Sequence, residues 1–150
     1  MTQITGGFSA SDAHVGMSAA GVTFVDISGS AASVAPGEQT RKSGEVYTHS
    51  GDTAIITGGK REPLEVEIKI VYTEGTGDPF EVIRAAFEAK TPYYFRWSPK
   101  GYVTGAFTFT SDAAVITGLT YPDTDAGTGD PCMCAFKFKT AKVTKSALVT

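Results

Sequence analysis

Two histidines and two cysteines are the side chains best suited to acid–base or nucleophilic work in this 150-residue chain. His14 stands two residues from Asp12, and His49 stands three from Asp52, as a base beside an orienting carboxylate would. Both pairs lie in Gly- and Ser-rich stretches. Neither comes with a Gly-x-Ser-x-Gly elbow or a second group tied to it by spacing, so they read as loop residues. Cys132 and Cys134 form Cys-x-Cys, which on a strand points both sulfurs the same way. With no further cysteine and no nearby histidine, one chain cannot complete a four-ligand zinc site, and the pair is poorly placed for a disulfide. Small buried apolar residues are the simpler reading. The glycines of Gly75-Thr-Gly77 stand where a phosphate loop would have them, but the Lys-Ser/Thr ending is missing and Asp78 opposes an anion. Asp123, Asp125 and Asp130 offer oxygens for Ca²⁺, yet Pro122 and Pro131 frame what reads as an ordinary polar loop. No metal or cofactor is expected, and no enzymatic activity.

The elements that would have to position any site are mostly strands. Leu64, Val66, Ile68, Ile70 and Tyr72 alternate with Glu65, Glu67 and Lys69, the period of a half-buried strand. Gly75–Pro79 then supplies a helix start: Asp78 as N-cap, Pro79 at the first helical position, and Glu81 placed to complete a capping box. Phe80, Ile83, Ala86 and Phe87 share one side of a helix over about 78–90, and Phe80, Ile83 and Phe87 are its expected packing residues. Thr91-Pro92 ends it, and Tyr93–Trp97 returns to strand with aromatic side chains on both faces. Further strands are expected at Val22–Ile27, Tyr102–Thr110 (Val103, Phe107 and Phe109 on one face), Val115–Tyr121 and Cys132–Val143. Gly-Thr-Gly-Asp-Pro recurs at Gly127–Pro131, where alternation instead of helical spacing follows, so the same cap residues introduce a strand there.

The class is therefore mainly β (α+β), a sandwich or barrel-like sheet structure with one packed helix, in a single domain 1–150. Residues 1–21 are small and polar and read as an N-terminal arm. Residues 28–62 are Gly-, Ser- and Thr-rich and read as a long loop or hairpin insertion, with a weak hairpin at Glu45–His49 and Thr53–Thr57. The net charge of −3 argues against a nucleic-acid-gripping surface. Lys137, Lys139, Lys142 and Lys145 form a basic stretch, but the aromatics interleaved with the first two lie on the opposite face. A charge ladder facing Glu65 and Glu67 on a neighbouring strand is the favoured reading. No run of about 18 apolar residues is present, so no membrane span is expected, and the start lacks the pattern of a signal peptide. The aromatic strand and the unprotected sheet edges point to a subunit completed by copies of itself.

Gly59–Tyr72, the Gly-Asp-Pro-Phe-capped helix and Tyr94-Phe-Arg-Trp-Ser-Pro-Lys-Gly101, in this order after a polar arm and a Gly-rich loop, resemble the tail tube (major tail) proteins of long, non-contractile bacteriophage tails. The resemblance covers most of the chain and is strongest over residues 44–101. It implies hexameric rings whose inner strands join into one β-barrel, stacked into a tube through which DNA leaves the capsid. It further implies a helix outside the sheets near the subunit boundary and a loop reaching an adjacent ring. Arg41, Lys42, Tyr47, Lys60 and Arg61 are the loop contacts expected on that basis. The implied partners are the chain itself, tape measure, terminator and distal tail proteins, and DNA sliding past without specific binding; the implied location is the virion tail, after synthesis in the host bacterial cytoplasm. A lumen lined by free lysines would hold DNA, so Lys137 and Lys139 are not expected to point freely into a bore. Related ring-forming tail components and phage-derived bacteriocin or secretion tubes fit the same pattern. A carbohydrate-binding β-sandwich, using Tyr93, Tyr94 or Trp97 as stacking platforms, is the alternative from another class.

Overall fold

The computed structural model describes residues 2–148. Two antiparallel sheets face each other. The first has five strands in the order β11 (Val143–Ala147), β8 (Phe107–Ser111), β7 (Tyr94–Ser98), β1 (His14–Ser18) and β2 (Val25–Asp26). The second has four, β3 (Ala31–Pro36), β6 (Leu64–Val71), β10 (Met133–Thr140) and β9 (Val115–Thr120). A separate two-stranded ribbon is made by β4 (Arg41–Val46) and β5 (Ile55–Arg61).

Alternation decides what fills the space between the sheets. Leu64, Val66, Ile68 and Ile70 of β6 and Cys134, Phe136 and Phe138 of β10 are buried. They meet Val15, Met17, Phe95 and Trp97 from β1 and β7. Phe95 is the join: its ring stacks on Phe138 at 4.1 Å and lies 5.5 Å from Phe136. On the opposite face of the four-stranded sheet the register sets Lys137 against Glu67 and Lys139 against Glu65. Of the ladder expected from the sequence, Lys137 is the lysine that pairs among the described residues, its Nζ 3.7 Å from Glu67 and 4.0 Å from Glu65; Lys145 lies on β11 in the other sheet.

The helix α1 runs Pro79–Ala89 with Asp78 as N-cap and ends at Lys90, whose left-handed backbone (φ 56°) returns its N–H to Ala86 and Phe87. The capping box does not form. Asp78 accepts a hydrogen bond from the Gly75 N–H at 2.6 Å instead, and Glu81 pairs with Arg84 at 3.0 Å. Phe80, Ile83 and Ala86 are buried, with the rings of Tyr72 and Tyr121 edge-on to Phe80. Phe87 is not a full packing residue. It remains 37% exposed, because Ala86 occupies the centre of the buried stripe.

Several boundaries differ from the sequence reading, each for a physical reason. Residues 1–21 are not all arm: His14–Ser18 is an inner strand, held because Val15 and Met17 lie opposite Trp97 and Phe95. Residues 28–62 are not all loop either. Ala31–Pro36 pairs with β6 despite its small side chains, since an edge strand covered on one side needs little apolar area. The strand expected over Tyr102–Thr110 begins only at Phe107; Gly105 (φ 83°) turns the chain before it. Phe107 is exposed while Thr108 is buried, its hydroxyl 2.8 Å from that of Ser146. Cys132–Val143 divides into β10 and β11, which belong to different sheets. Phe95→Ala would remove the ring that links the sheets. A loss of about 3–5 kcal/mol is expected, read as a lower urea midpoint with an unchanged slope.

Candidate assembly surfaces

The long ribbon is the most prominent surface feature. β3 pairs with β6, the Gly37 N–H bonds to the Glu65 carbonyl at 2.8 Å, and the Glu62 N–H bonds to the Thr40 carbonyl at 2.9 Å. β4 then pairs with β5. The two strand pairs are thus one hairpin over residues 31–71, rooted in the four-stranded sheet and continuing outward for roughly 20 Å beyond it. Gly59 is needed where the strands cross closely, since a Cβ there would stand 2.8 Å from the Lys42 carbonyl oxygen.

Every residue of β4 and β5 is exposed. The hairpin expected at Glu45–His49 and Thr53–Thr57 is therefore longer and set back, with Val46 opposite Ile55 and a turn between them. Its distal part presents Val46, Tyr47, Ile55 and Ile56, exposed by 57, 66, 53 and 72%. Of these, sequence reasoning singled out only Tyr47. The signal for the others was Ile55-Ile56, two β-branched residues inside a polar stretch. Arg41, Lys42, Lys60 and Arg61 cluster at the root, where Arg41 and Arg61 are direct cross-strand partners. Like charges facing each other are unfavourable. Among the described residues none of the four takes part in an ion pair; Arg41 reaches the Gly59 carbonyl at 3.3 Å.

The sheet margins form a second surface. Among the described residues, β3 and β9 are each paired on one side only. Beside β9 the end of α1 leaves a groove of about 360 Å³ lined by Phe87, Val115 and Ile116 among others. The helix packs chiefly against β9, so it lies at that margin.

The chemically suggestive residues are dispersed. His14 does not pair with Asp12 but lies 3.4 Å from Asp26 across β1 and β2. His49 and Asp52 sit in the exposed hairpin turn. Cys134 is buried, which pushes its thiol up to about 11, and the Cys132 thiol donates to the Asp123 carbonyl at 2.9 Å. Asp125 accepts from the Gly127 N–H. Among the described residues no group of three potential ligands could hold a metal ion, and no helix is long and apolar enough to cross a membrane.

This architecture has known counterparts. A chain of the sheath–tube complex of an extracellular contractile injection system (PVC), in the extended state, matches with a TM-score of 0.75 at 15% identity, covering 96% of this chain and 94% of that one. The tube-terminating cap of the anti-feeding prophage matches equally well, at 0.75 and 15% identity over 98% and 95%. A chain from the tail of an empty gene transfer agent particle matches at 0.65 and 12% identity over 92% and 96%. The chain has the fold of phage-like tail and tube subunits. No family model matches the sequence, and no curated protein does. The three matched chains come from a sheath–tube complex, a tube-terminating cap and a particle tail.

Asp26 offers a direct check on the margin at β2. Its carboxyl lies below the usual 3.8, first through the Ser28 hydroxyl, then the Ser28 N–H at 2.8 Å, with a smaller contribution from His14. A depressed carboxyl stabilises the fold above its ordinary value and loses that contribution as pH falls through the folded one. The wild type should therefore exceed Asp26→Asn in urea midpoint at neutral pH, and the difference should begin to shrink near 3.8 and vanish once pH has fallen through the lower folded value.

Proposed function

We infer that the chain is a structural subunit of a phage tail tube, assembling with itself into hexameric rings that stack into a conduit for DNA during ejection. The observation that carries this reading is the fully exposed hairpin ending in Val46, Tyr47, Ile55 and Ile56. Apolar area of this kind on a projecting ribbon serves to bind something. In a stack of identical rings the natural recipient is the next ring. The cations at its root, Arg41, Lys42, Lys60 and Arg61, meet a subunit whose net charge is −3. Tyr47 belongs to the apolar tip.

Lateral association follows from the margins of the four-stranded sheet. Pairing β9 of one copy with β3 of the next would extend the sheet through every subunit and close it into one barrel, which removes the edges. The helix beside β9 then lies at the subunit boundary, and Phe87 and Val115 are covered. Six-fold symmetry is the symmetry of the gene transfer agent tail that shares this fold. The contacts are heterologous, closing around the ring and repeating along the axis.

The face that such a barrel turns inward carries Glu65, Glu67, Lys69, Lys137 and Lys139. Lys137 is held between two carboxylates, so it releases fewer counterions when DNA passes than a free lysine would. Partners on this reading are tape measure, terminator and distal tail proteins; the subunit is made in the bacterial cytoplasm and ends in the virion tail. A second reading, the inner tube or tube terminator of a contractile injection device, is favoured by the higher TM-scores of the injection-system complexes over the gene transfer agent tail.

Ile56→Asp separates assembly from folding. The side chain is 72% exposed, so the melting temperature should move by less than about 2 °C. Negative-stain microscopy of concentrated protein should show hollow tubes for the wild type and none for the variant. Tubes from both would remove the hairpin tip from the inter-ring contact.

A further inference from the structure

A cleft opens between the two sheets at the margin formed by β3. Val34 and Pro36 lie opposite Ile68 and Val66, so they face the other sheet. Together with Val15, Trp97, Pro99 and Ala13 they line a space of about 390 Å³. The β3 side chains around it are small, Ala31, Ala32 and Ser33, and leave the space beside Trp97 unfilled. Apolar cavities of about 150 Å³ already admit a benzene ring, so an aromatic side chain can enter this one.

The opposite margin of the same sheet carries such a ring. Phe80, Ile83 and Ala86 of α1 join the core with Ile116 and Phe138, which puts the helix on the inter-sheet side of the four-stranded sheet. The cleft opens on that same side. Phe87, at the end of the helix, stands beside Val115 and Ile116 at the β9 margin and is only partly covered by its own chain. The strands alternate in direction from β3 through β6 and β10 to β9. An even number of antiparallel strands matters in a ring: a copy rotated about the ring axis brings its β9 antiparallel to the free edge of β3, with the same face outward. Its helix end then arrives at the mouth of the cleft.

We propose that the cleft between Trp97 and Val34 receives Phe87 from the next copy around the ring, an inference that rests on the tube reading above. The rims agree in charge. Asp12 and Lys100 adjoin the cleft residues in the chain, Glu88 and Lys90 bracket Phe87, and all four are exposed. Among the described residues none of them takes part in an ion pair, so each side offers the other an acid and a base. An aromatic anchor in an apolar slot within a polar rim is the usual centre of an interface. The hairpin tip suits the cleft less well. It is carried away along the strand direction, toward an axial neighbour, whereas the cleft lies at the lateral margin.

Two measurements test this. In the first, p-benzoylphenylalanine replaces Phe87 in a minority of subunits, which are assembled with an excess of wild type and illuminated. Cross-linked pairs of chains are isolated and their junctions mapped by peptide mass spectrometry. Junctions within residues 31–36 or 97–99 are expected. Tubes whose inter-chain junctions fall only elsewhere, in the hairpin 41–61 for instance, or that yield none, overturn the proposal and leave the tube reading standing. In the second, the concentration needed for tubes is read by sedimentation and negative stain. It should rise by about tenfold or more for Phe87→Ser and stay within about threefold of wild type for Phe87→Leu, which keeps apolar bulk. Phe87→Ser assembling at the wild-type concentration would sink the contact alone. A wild type that never assembles would sink the tube reading itself, and this contact with it.

Discussion

The stack of Phe95 on Phe138 is the contact on which the rest of the architecture depends. A sheet is stable when one face is covered, and here each sheet covers the other through a narrow set of aromatic and branched side chains. Phe95 belongs to β7, an inner strand of one sheet, and Phe138 to β10, an inner strand of the other. Fixing the inner strands against each other leaves the outer ones a smaller share of the core, such as Ile116 of β9 and Val34 of β3. β2 can be two residues long, β3 can be Ala- and Ser-rich, and β9 can carry a bulge opposite Lys137 and Phe138. The weakly built strands lie mostly at the margins, where a neighbouring copy can add to them.

The same division explains what was legible in the sequence. Leu64–Val71, and Met133–Thr140 apart from a buried Ala135, alternate because both are inner strands with one wet face, and their pairing put Lys137 beside Glu65 and Glu67 as the charges suggested. The helix was legible from Asp78-Pro79 and the spacing of Phe80 and Ile83. β1 was not. Its burial comes from Trp97 and Phe95, eighty residues away or nearly so, and Val15-Gly-Met17 carries too short a pattern to show it. β3 was hidden for the opposite reason: pairing with β6 holds it in place through backbone hydrogen bonds, which leave no mark on side-chain periodicity. At Phe107 and Thr108 the alternation holds, but it is the threonine that is buried and the phenylalanine that is exposed. The chain folds back from Gly101 to Ala106, and the Ser146 hydroxyl gives Thr108 a hydrogen-bond partner.

Of the candidate surface, the cations at the hairpin root were visible as a charged cluster, but the apolar tip was only half visible. Tyr47 stood out; Val46, Ile55 and Ile56 looked like the modest apolar content of an ordinary strand. Exposure, not composition, distinguishes them, and exposure depends on the ribbon leaving the sheet at Gly37 and Glu62. Likewise the cross-strand pairing of Arg41 with Arg61 exists only once the register is known. A sequence shows how many charges a segment carries, but only pairing shows that they oppose one another.

A two-stranded ribbon outside a sheet is marginal by itself, because its backbone hydrogen bonds have no packed face behind them. Opposed arginines at its root weaken it further. Such a segment contributes little to the stability of a lone subunit, and much of the free energy of a contact made through it goes into ordering the ribbon. One docked hairpin is therefore a weak bond. In a ring-on-ring stack the same bond recurs at every subunit, and once one hairpin is seated its neighbours are held at high local concentration to their own recipients. On the proposed tube reading, weak single contacts and strong collective ones would keep free subunits dissolved and a growing tube intact. The fold places its apolar side chains in two populations: those gathered around Phe95, which hold the subunit together, and those at Val46–Tyr47 and Ile55–Ile56, which stay exposed.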